Sequence, residues 1–82
     1  MFKSREEVKR IKELYPEGTE ILLKHMNDPQ APPSGTRGTV THVDDIGQIH
    51  WTGSGLAINV DHYIFFRIDK MGFLINERGE RI

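Results

Sequence analysis

The sequence predicts a mainly β domain that begins with one helix, and three observations support this prediction. A capping motif and an amphipathic pattern open the chain, short runs rich in β-branched and aromatic residues follow, and Gly, Asp or Pro turns separate those runs. Eighty-two residues are too few for two independent cores, so we expect a single domain over residues 1–82. The predicted architecture is a small SH3-like five-stranded β-barrel that the N-terminal helix caps.

The first predicted element is a helix over about 4–14. Ser4 and Glu7 form a capping box, in which the serine hydroxyl accepts a hydrogen bond from the backbone N–H of Glu7. Pro16 ends the helix because it disfavours helical backbone at the preceding residue. Charged residues form a solvated face, and apolar residues recur at helical spacing on the other face, namely Val8, Ile11, Leu14 and Tyr15.

The β-barrel is predicted over about 19–68. Three prolines in 27–35 lack the N–H that a sheet ladder needs, so this segment is a loop after the first strand. A short helical turn at 60–63 precedes the last barrel strand, and 69–82 forms a C-terminal hairpin or tail. The five barrel strands are predicted at 19–26, 37–44, 48–51, 56–59 and 64–68.

The hairpin around the turn at 45–47 provides the first candidate site. With this turn, strand alternation places four polar side chains on one face, close enough for cross-strand contacts: His42, Asp44, Gln48 and His50. The same register directs three residues toward the core: Val43, Ile49 and Trp51. Val40 then falls on the wrong face, so either a bulge or strong bend lies near Thr41 or the register differs.

Two histidines and a carboxylate on one face are able to ligate a metal ion. Polar residues on the outer face of a hairpin and aspartates at a turn are, however, the ordinary pattern of a half-buried sheet. We therefore predict no metal ligand, and a metal-dependent enzyme using His42, Asp44 and His50 is kept as a third alternative. The serines lie at a helix cap and in turns without a base and an orienting group, so no catalytic residue, cofactor or enzymatic activity is expected.

The stiff loop at 27–35 and the arginine after it provide the second candidate site. Prolines limit the freedom of the loop, and a rigid loop beside a groove is suited to binding. Arg37 is able to present a guanidinium to an anion, although β-branched residues follow the glycines at 35–38 where a phosphate loop needs a helix. The predicted ligand- or partner-binding residues are Asp28, Pro29, Pro32, Pro33, Arg37, His42, Asp44, Gln48, His50 and Trp51.

Charge and hydropathy restrict the class of partner. The formal net charge of -1 disfavours nucleic acid, which proteins hold mainly through basic surfaces. The chain has no apolar run near ~20 residues and its first residues lack the apolar core of a signal peptide, so we expect no membrane association and a cytoplasmic location. The absence of cysteine excludes disulfides and thiolate metal sites.

The stretch DPQAPPSGTRGTVTHVDDIGQIHW at 28–51 and the lead-in SREEVKRIKELYPEGTEILL resemble the bacterial and phage domain-of-unknown-function family 4314 over about 4–68. The chain departs from the family where WTGSG replaces a W-x-N/D-G-S turn, and the tail from Asp69 lies outside the pattern. The resemblance implies a compact β-fold that occurs in phages and mobile elements of bacterial host cells. It implies no activity.

We expect a non-enzymatic binding module that captures a host protein or a nucleotide-like signalling molecule stoichiometrically, with a role in countering host defence. The alternative is a nucleic-acid-associated small barrel, because such barrels bind strands through aromatic and basic residues such as Trp51 and Arg37. Residues 62–66 have apolar side chains on both faces of their strand, so the face outside the barrel meets the helix, the tail or another subunit, and a homo-oligomer is one hypothesis.

Overall fold

One helix precedes five strands in the computed structural model, which describes residues 3–26, 28–61 and 63–82. Asn27 and His62 lie outside the described residues; the sequence placed them in the proline loop and in the turn at 60–63. The elements are α1 (Arg5–Leu14), β1 (Glu20–Met26), β2 (Arg37–Val43), β3 (Ile49–Trp51), β4 (Tyr63–Ile68) and β5 (Leu74–Ile75).

The capping box starts α1 as the sequence predicts. Ser4 has extended backbone, and its hydroxyl accepts the N–H of Glu7 at 3.1 Å. Ile11 and Tyr15 are buried in the hydrophobic core, so one face of the helix packs against the sheet. The predicted helix is confirmed to within one residue at its start.

The five strands form one antiparallel sheet in the order β3-β2-β1-β4-β5. The prediction of a mainly β fold with one helix is confirmed. The edge strands β3 and β5 share no ladder within the described residues, so the sheet is not closed into a barrel and the predicted five-stranded β-barrel is wrong; the SH3-like arrangement and the helix cap are not confirmed. These edge strands have three and two residues, too few to extend a ladder around a barrel.

The predicted strand at 56–59 is wrong, because only Ile58 pairs there. It forms an isolated bridge with Ile49, with N–H to carbonyl distances of 2.9 and 2.8 Å. The backbone groups of Leu56 form hydrogen bonds with side chains and not with another strand. Its carbonyl accepts the indole N–H of Trp51, and its N–H donates to the hydroxyl of Ser54. These contacts replace the ladder that a strand needs.

A β-bulge lies at Thr41, as the sequence predicts from the side-chain alternation that would otherwise direct Val40 away from the core. Val40 pairs with Trp51 and His42 pairs with His50, so Thr41 is an extra residue opposite that single step of β3. The Thr41 hydroxyl donates to the backbone carbonyl of His50 at 3.2 Å. The bulge directs Val40 toward the core and leaves Thr41 and His42 exposed.

The hydrophobic core lies between α1 and one face of the sheet. The central strand β1 contributes two fully buried side chains, Ile21 and Leu23, which lie two positions apart and so share one face of the strand. The other residues of the core cluster are Ile11, Tyr15, Val40, Ile49, Trp51 and Ile58. Burial of these side chains is the main favourable contribution to folding.

Arg67 on β4 joins the end of α1 to the C-terminal segment. Its guanidinium donates to the carbonyls of Leu14 at 3.3 Å, Asn76 at 2.8 Å and Glu77 at 3.0 Å. It also lies 5.8 Å from the centre of the Tyr15 ring. The C-terminal hairpin is confirmed, since β5 pairs with β4 and a bridge joins its second residue to residue 81.

β4 carries apolar side chains on both faces, as the sequence predicts. Phe65 packs on Tyr15 with ring centres 5.4 Å apart, whereas Ile64 is 54% exposed. The homo-oligomer stays a prediction.

Gly38→Ala is expected to destabilise the fold. A Cβ at this position would lie 2.5 Å from the backbone nitrogen of Gly53 and 2.5 Å from the Trp51 ring, so the core must shift to admit it. We expect a loss of about 2 kcal/mol in the free energy of unfolding. Gly55→Ala is the control, because a Cβ there meets nothing within 4 Å. Urea denaturation of both variants measures the difference, and equal losses would contradict the packing argument.

Candidate functional site

The polar face of the β2–β3 hairpin brings together the four side chains that alternation predicts. The register pairs His42 with His50, and the N–H of Asp44 donates to the carbonyl of Gln48 at 3.0 Å. All four residues retain surface exposure: His42 is exposed, and the other three are half-buried. This predicted arrangement is therefore present in the structure.

Asp44 organises the hairpin turn. Its Oδ1 accepts the backbone N–H of Gln48 at 2.9 Å and that of Ile46 at 3.2 Å, while its Oδ2 lies 2.8 Å from His50 Nε2. Partial burial acts to raise the pKa of the carboxyl group, but the hydrogen bonds from His50, Gln48 and Ile46 outweigh it and hold that pKa below its ordinary value. Asp44 thus fixes both the turn and the orientation of the His50 ring.

His42 stacks on the oriented ring of His50. The ring centres are 4.4 Å apart and the planes differ by 4°, while His42 Nδ1 lies 3.2 Å from the hydroxyl of Thr41. One face of the His42 ring is covered by His50, and the residue as a whole is exposed, so part of its surface is accessible to a ligand. The arrangement is suited to stacking a flat group on a ring held in place from behind.

The ring geometry does not gather metal ligands. Nearly parallel rings direct their nitrogens along parallel planes, and His50 Nε2 is already occupied by Asp44. Within the part of the chain that the structure describes, no three His, Asp or Glu side chains are placed to hold a metal ion.

Trp51 belongs to the core and not to the exposed part of the candidate site. It is 5% exposed, and its indole N–H donates to the carbonyl of Leu56 at 3.0 Å. The sequence predicts two roles for Trp51, as a core residue and as a binding residue. The core role is confirmed, and a ring this buried has no face available for a ligand.

Arg37 lies at the opposite end of β2 from His42. Five residues separate them along the strand, which corresponds to about 16 Å. Arg37 is exposed and lines a different groove, in which Glu17, Glu20 and Asp69 are also present. The structure therefore does not bring Arg37 into the polar face.

The proline loop is tied to β1. The Asp28 carboxylate accepts the N–H of Gln30 at 2.8 Å, the Ser34 hydroxyl donates to the carbonyl of Lys24 at 2.6 Å, and Ala31 packs against the core. The described residues of the loop, 28–35, line neither of the clefts beside His42 and α1. Of the three prolines of the candidate site, Pro29 and Pro33 are exposed and Pro32 is half-buried.

A group of cations on α1 and just before it is a feature that the predicted binding residues do not include. Together with Val8 and Asp45, these cations line a cleft of about 460 Å³; we call the four side chains Lys3, Arg5, Lys9 and Lys12 the basic flank. The spacing of positions 5, 9 and 12 was the available signal, since such residues share one side of a helix. In the sequence, these positions belong to the predicted solvated face of the helix, and none of them is among the predicted binding residues.

The basic flank adjoins the stacked histidines. A second cleft, of about 300 Å³, lies between α1 and β2, and its lining includes Lys12, Thr41 and His42. Lys12 is the residue common to this cleft and to the cleft of the basic flank. An exposed aromatic side chain and a row of cations therefore meet at Lys12.

The fold and this surface define a small helix-plus-sheet domain with a polar site on its hairpin. The chain belongs to the family described as Domain of unknown function (DUF4314), whose model matches residues 4–64. The resemblance seen in the sequence is confirmed, and the match ends four residues before the expected limit of 68. No curated protein and no solved structure matches the chain. The described part of the chain has no helix that is long and apolar enough to cross a membrane.

Asp44→Asn is expected to lower the free energy of unfolding at pH 7 by about 1 kcal/mol, because it weakens charge-assisted hydrogen bonds. The pKa of Asp44 is lower in the folded protein than in the unfolded chain. Its stabilising contribution is therefore complete above about pH 4 and disappears as the pH falls through the folded-state value. Chemical denaturation at several pH values measures the difference between wild type and variant.

The control is Asp45→Asn, whose side chain is 99% exposed and contacts only Lys12 among the described ion pairs. We expect a change below about 0.5 kcal/mol for this control. A difference between wild type and Asp44→Asn that stays constant from pH 7 to pH 2 would refute the linkage.

Proposed function

We propose that the protein is a non-enzymatic binding module that captures a small nucleotide-like ligand in the cleft between α1 and β2. The observation that carries this proposal is the juxtaposition of an exposed, pre-oriented His42 ring with Lys12 in one cleft. A flat heterocycle stacks on the ring, and the cation attracts an attached anionic group.

Preorganisation favours binding at this position. His50 supports the His42 ring from behind, and Asp44 holds His50, so little side-chain freedom remains to be lost when a ligand stacks. The Thr41 hydroxyl beside the ring adds a hydrogen-bonding group at the edge of the cleft. Capture without conversion agrees with a site whose ionisable side chains already bond to one another.

We place this capture in the cytoplasm of a bacterial host, where it lowers the free concentration of a signalling molecule and so counters host defence. The setting follows from the expected occurrence of the family in phages and mobile elements. A host protein is the other partner class, and the ligand test below separates the two.

We also propose a partly open SH3-like arrangement with α1 over one end of the sheet. The Ile49–Ile58 bridge adds one more paired position beside β3, and β4 crosses to pair with β1 on the side away from β2, which supports a sheet that curls partly around the core. Ile11 and Tyr15 in the core support the position of the helix.

His42→Ala is expected to weaken binding of the nucleotide about tenfold, because stacking of one base contributes about 1–3 kcal/mol. His25→Ala is the matched control, since His25 is an exposed histidine on β1 and does not line the cleft. Thermal denaturation with a panel of nucleoside mono-, di- and triphosphates identifies the nucleotide, and calorimetry then compares the two variants.

A ligand at 100 times its dissociation constant stabilises the fold by about 2.7 kcal/mol, which a melting curve detects. If no nucleotide stabilises the wild type, the small-ligand proposal is refuted and the host-protein partner is favoured. Equal loss of affinity in both variants would place the ligand elsewhere on the protein.

Nucleic acid is the second candidate ligand, and the basic flank is the observation that favours it. The net charge of -1 makes this the weaker candidate. A gel shift with single-stranded DNA at about 50 and 200 mM salt decides between the two, because phosphate contacts weaken steeply over that range. A shifted band that is strong at the lower salt concentration and much weaker at the higher one would support nucleic acid.

A further inference from the structure

The basic flank has an excess of positive charge that the opposite side of α1 lacks. Among the described residues, its cleft is lined by four cations and one carboxylate, that of Asp45. Lys3 also pairs with Asp61 outside the cleft lining, and Lys12 pairs with Asp45. On the other side of α1, Arg10 pairs with Glu77 at 3.4 Å, so that cation already has an acidic neighbour. Within the described ion pairs, Arg5 and Lys9 have no such neighbour.

Asp45 shows how the cleft accommodates an anion. Its Oδ1 lies 3.1 Å from Lys12 Nζ, although the aspartate side chain is 99% exposed and the lysine side chain 45%. A carboxylate this exposed is held weakly, because water and salt screen the pair. An incoming anion therefore displaces it at little cost.

We propose that the basic flank binds the phosphate groups of the ligand whose ring stacks on His42. This inference rests on the proposed function, which it extends from a flat anionic ligand to a nucleoside polyphosphate. Lys12 connects the two parts of the site, since it lines both clefts. Arg5 and Lys9 continue the row of cations along the helix, so a chain of two or three phosphates meets one cation after another.

The cleft volume agrees with this class of ligand. About 460 Å³ beside α1 and about 300 Å³ beside His42 together fall within the range of small-molecule sites. The buried side chain of Val8 also lines the cleft of the basic flank.

Lys9→Gln and Arg10→Gln form a matched pair for the test. The positions are adjacent on one helix and lose the same charge, but only Lys9 lines the cleft. With inorganic pyrophosphate as the probe, we expect Lys9→Gln to weaken binding about fivefold and Arg10→Gln by less than about 1.5-fold. Calorimetry at fixed ionic strength measures both. Equal weakening in the two variants overturns the proposal.

Asp45→Asn supplies a test in the opposite direction. Removing the competing carboxylate leaves Lys12 available, so we expect pyrophosphate to bind about threefold more tightly. Because this variant gains affinity, a folding defect cannot imitate the result. Unchanged or weaker binding argues against phosphate groups in this cleft.

The ring and phosphate parts of the site are separable by amide NMR with two probes. Pyrophosphate is expected to shift the signals of residues 5–12, and adenosine diphosphate is expected to shift those signals and also 41–43. If 41–43 do not respond, the stacking function fails while the phosphate inference stands. If 5–12 do not respond to either probe, the phosphate inference fails. Tighter binding of a single-stranded oligonucleotide than of adenosine diphosphate overturns the assignment to a small ligand.

Discussion

The β-bulge at Thr41 is the constraint on which the core and the polar face both depend. An unbroken strand would direct Val40 and Val43 to opposite faces, because side chains alternate along a strand. The extra residue allows both valines to face the core, and it leaves His42 outside, opposite His50. One local irregularity thus closes the hydrophobic interior and creates the stacked histidines.

Two further contacts bind distant parts of the chain to this sheet. Trp51 lies against the backbone at Gly38 and Gly53, so the absence of side chains at the glycines sets the position of the indole ring. Arg67 bonds to carbonyls at the end of α1 and in the C-terminal segment, although the family match ends at residue 64. The tail is therefore attached to the family fold through an arginine that the match does not cover.

The candidate site combines a rigid support with mobile charges. Asp44, His50 and His42 form a chain of contacts in which each side chain orients the next. The Lys12 side chain of the basic flank is partly exposed to solvent, so its attraction for an anion depends on salt. A ligand that contacts both the stacked histidines and the basic flank would be oriented by the rings and attracted by the cations of α1. The two roles therefore fall on different elements of this small domain.

Local patterns in the sequence determined the helix with its cap, the hairpin register, the bulge and the polar face, because each depends on residues only a few positions apart. The predicted barrel and the predicted strand at 56–59 were both wrong. A barrel depends on pairing between strands far apart in the chain, which local patterns do not reveal. The segment at 56–59 forms no ladder because the backbone groups of Leu56 bond to side chains instead. Only the tertiary structure decided that Lys12 lies beside His42. This placement arises when α1 packs on the sheet, and no spacing within a single segment encodes it.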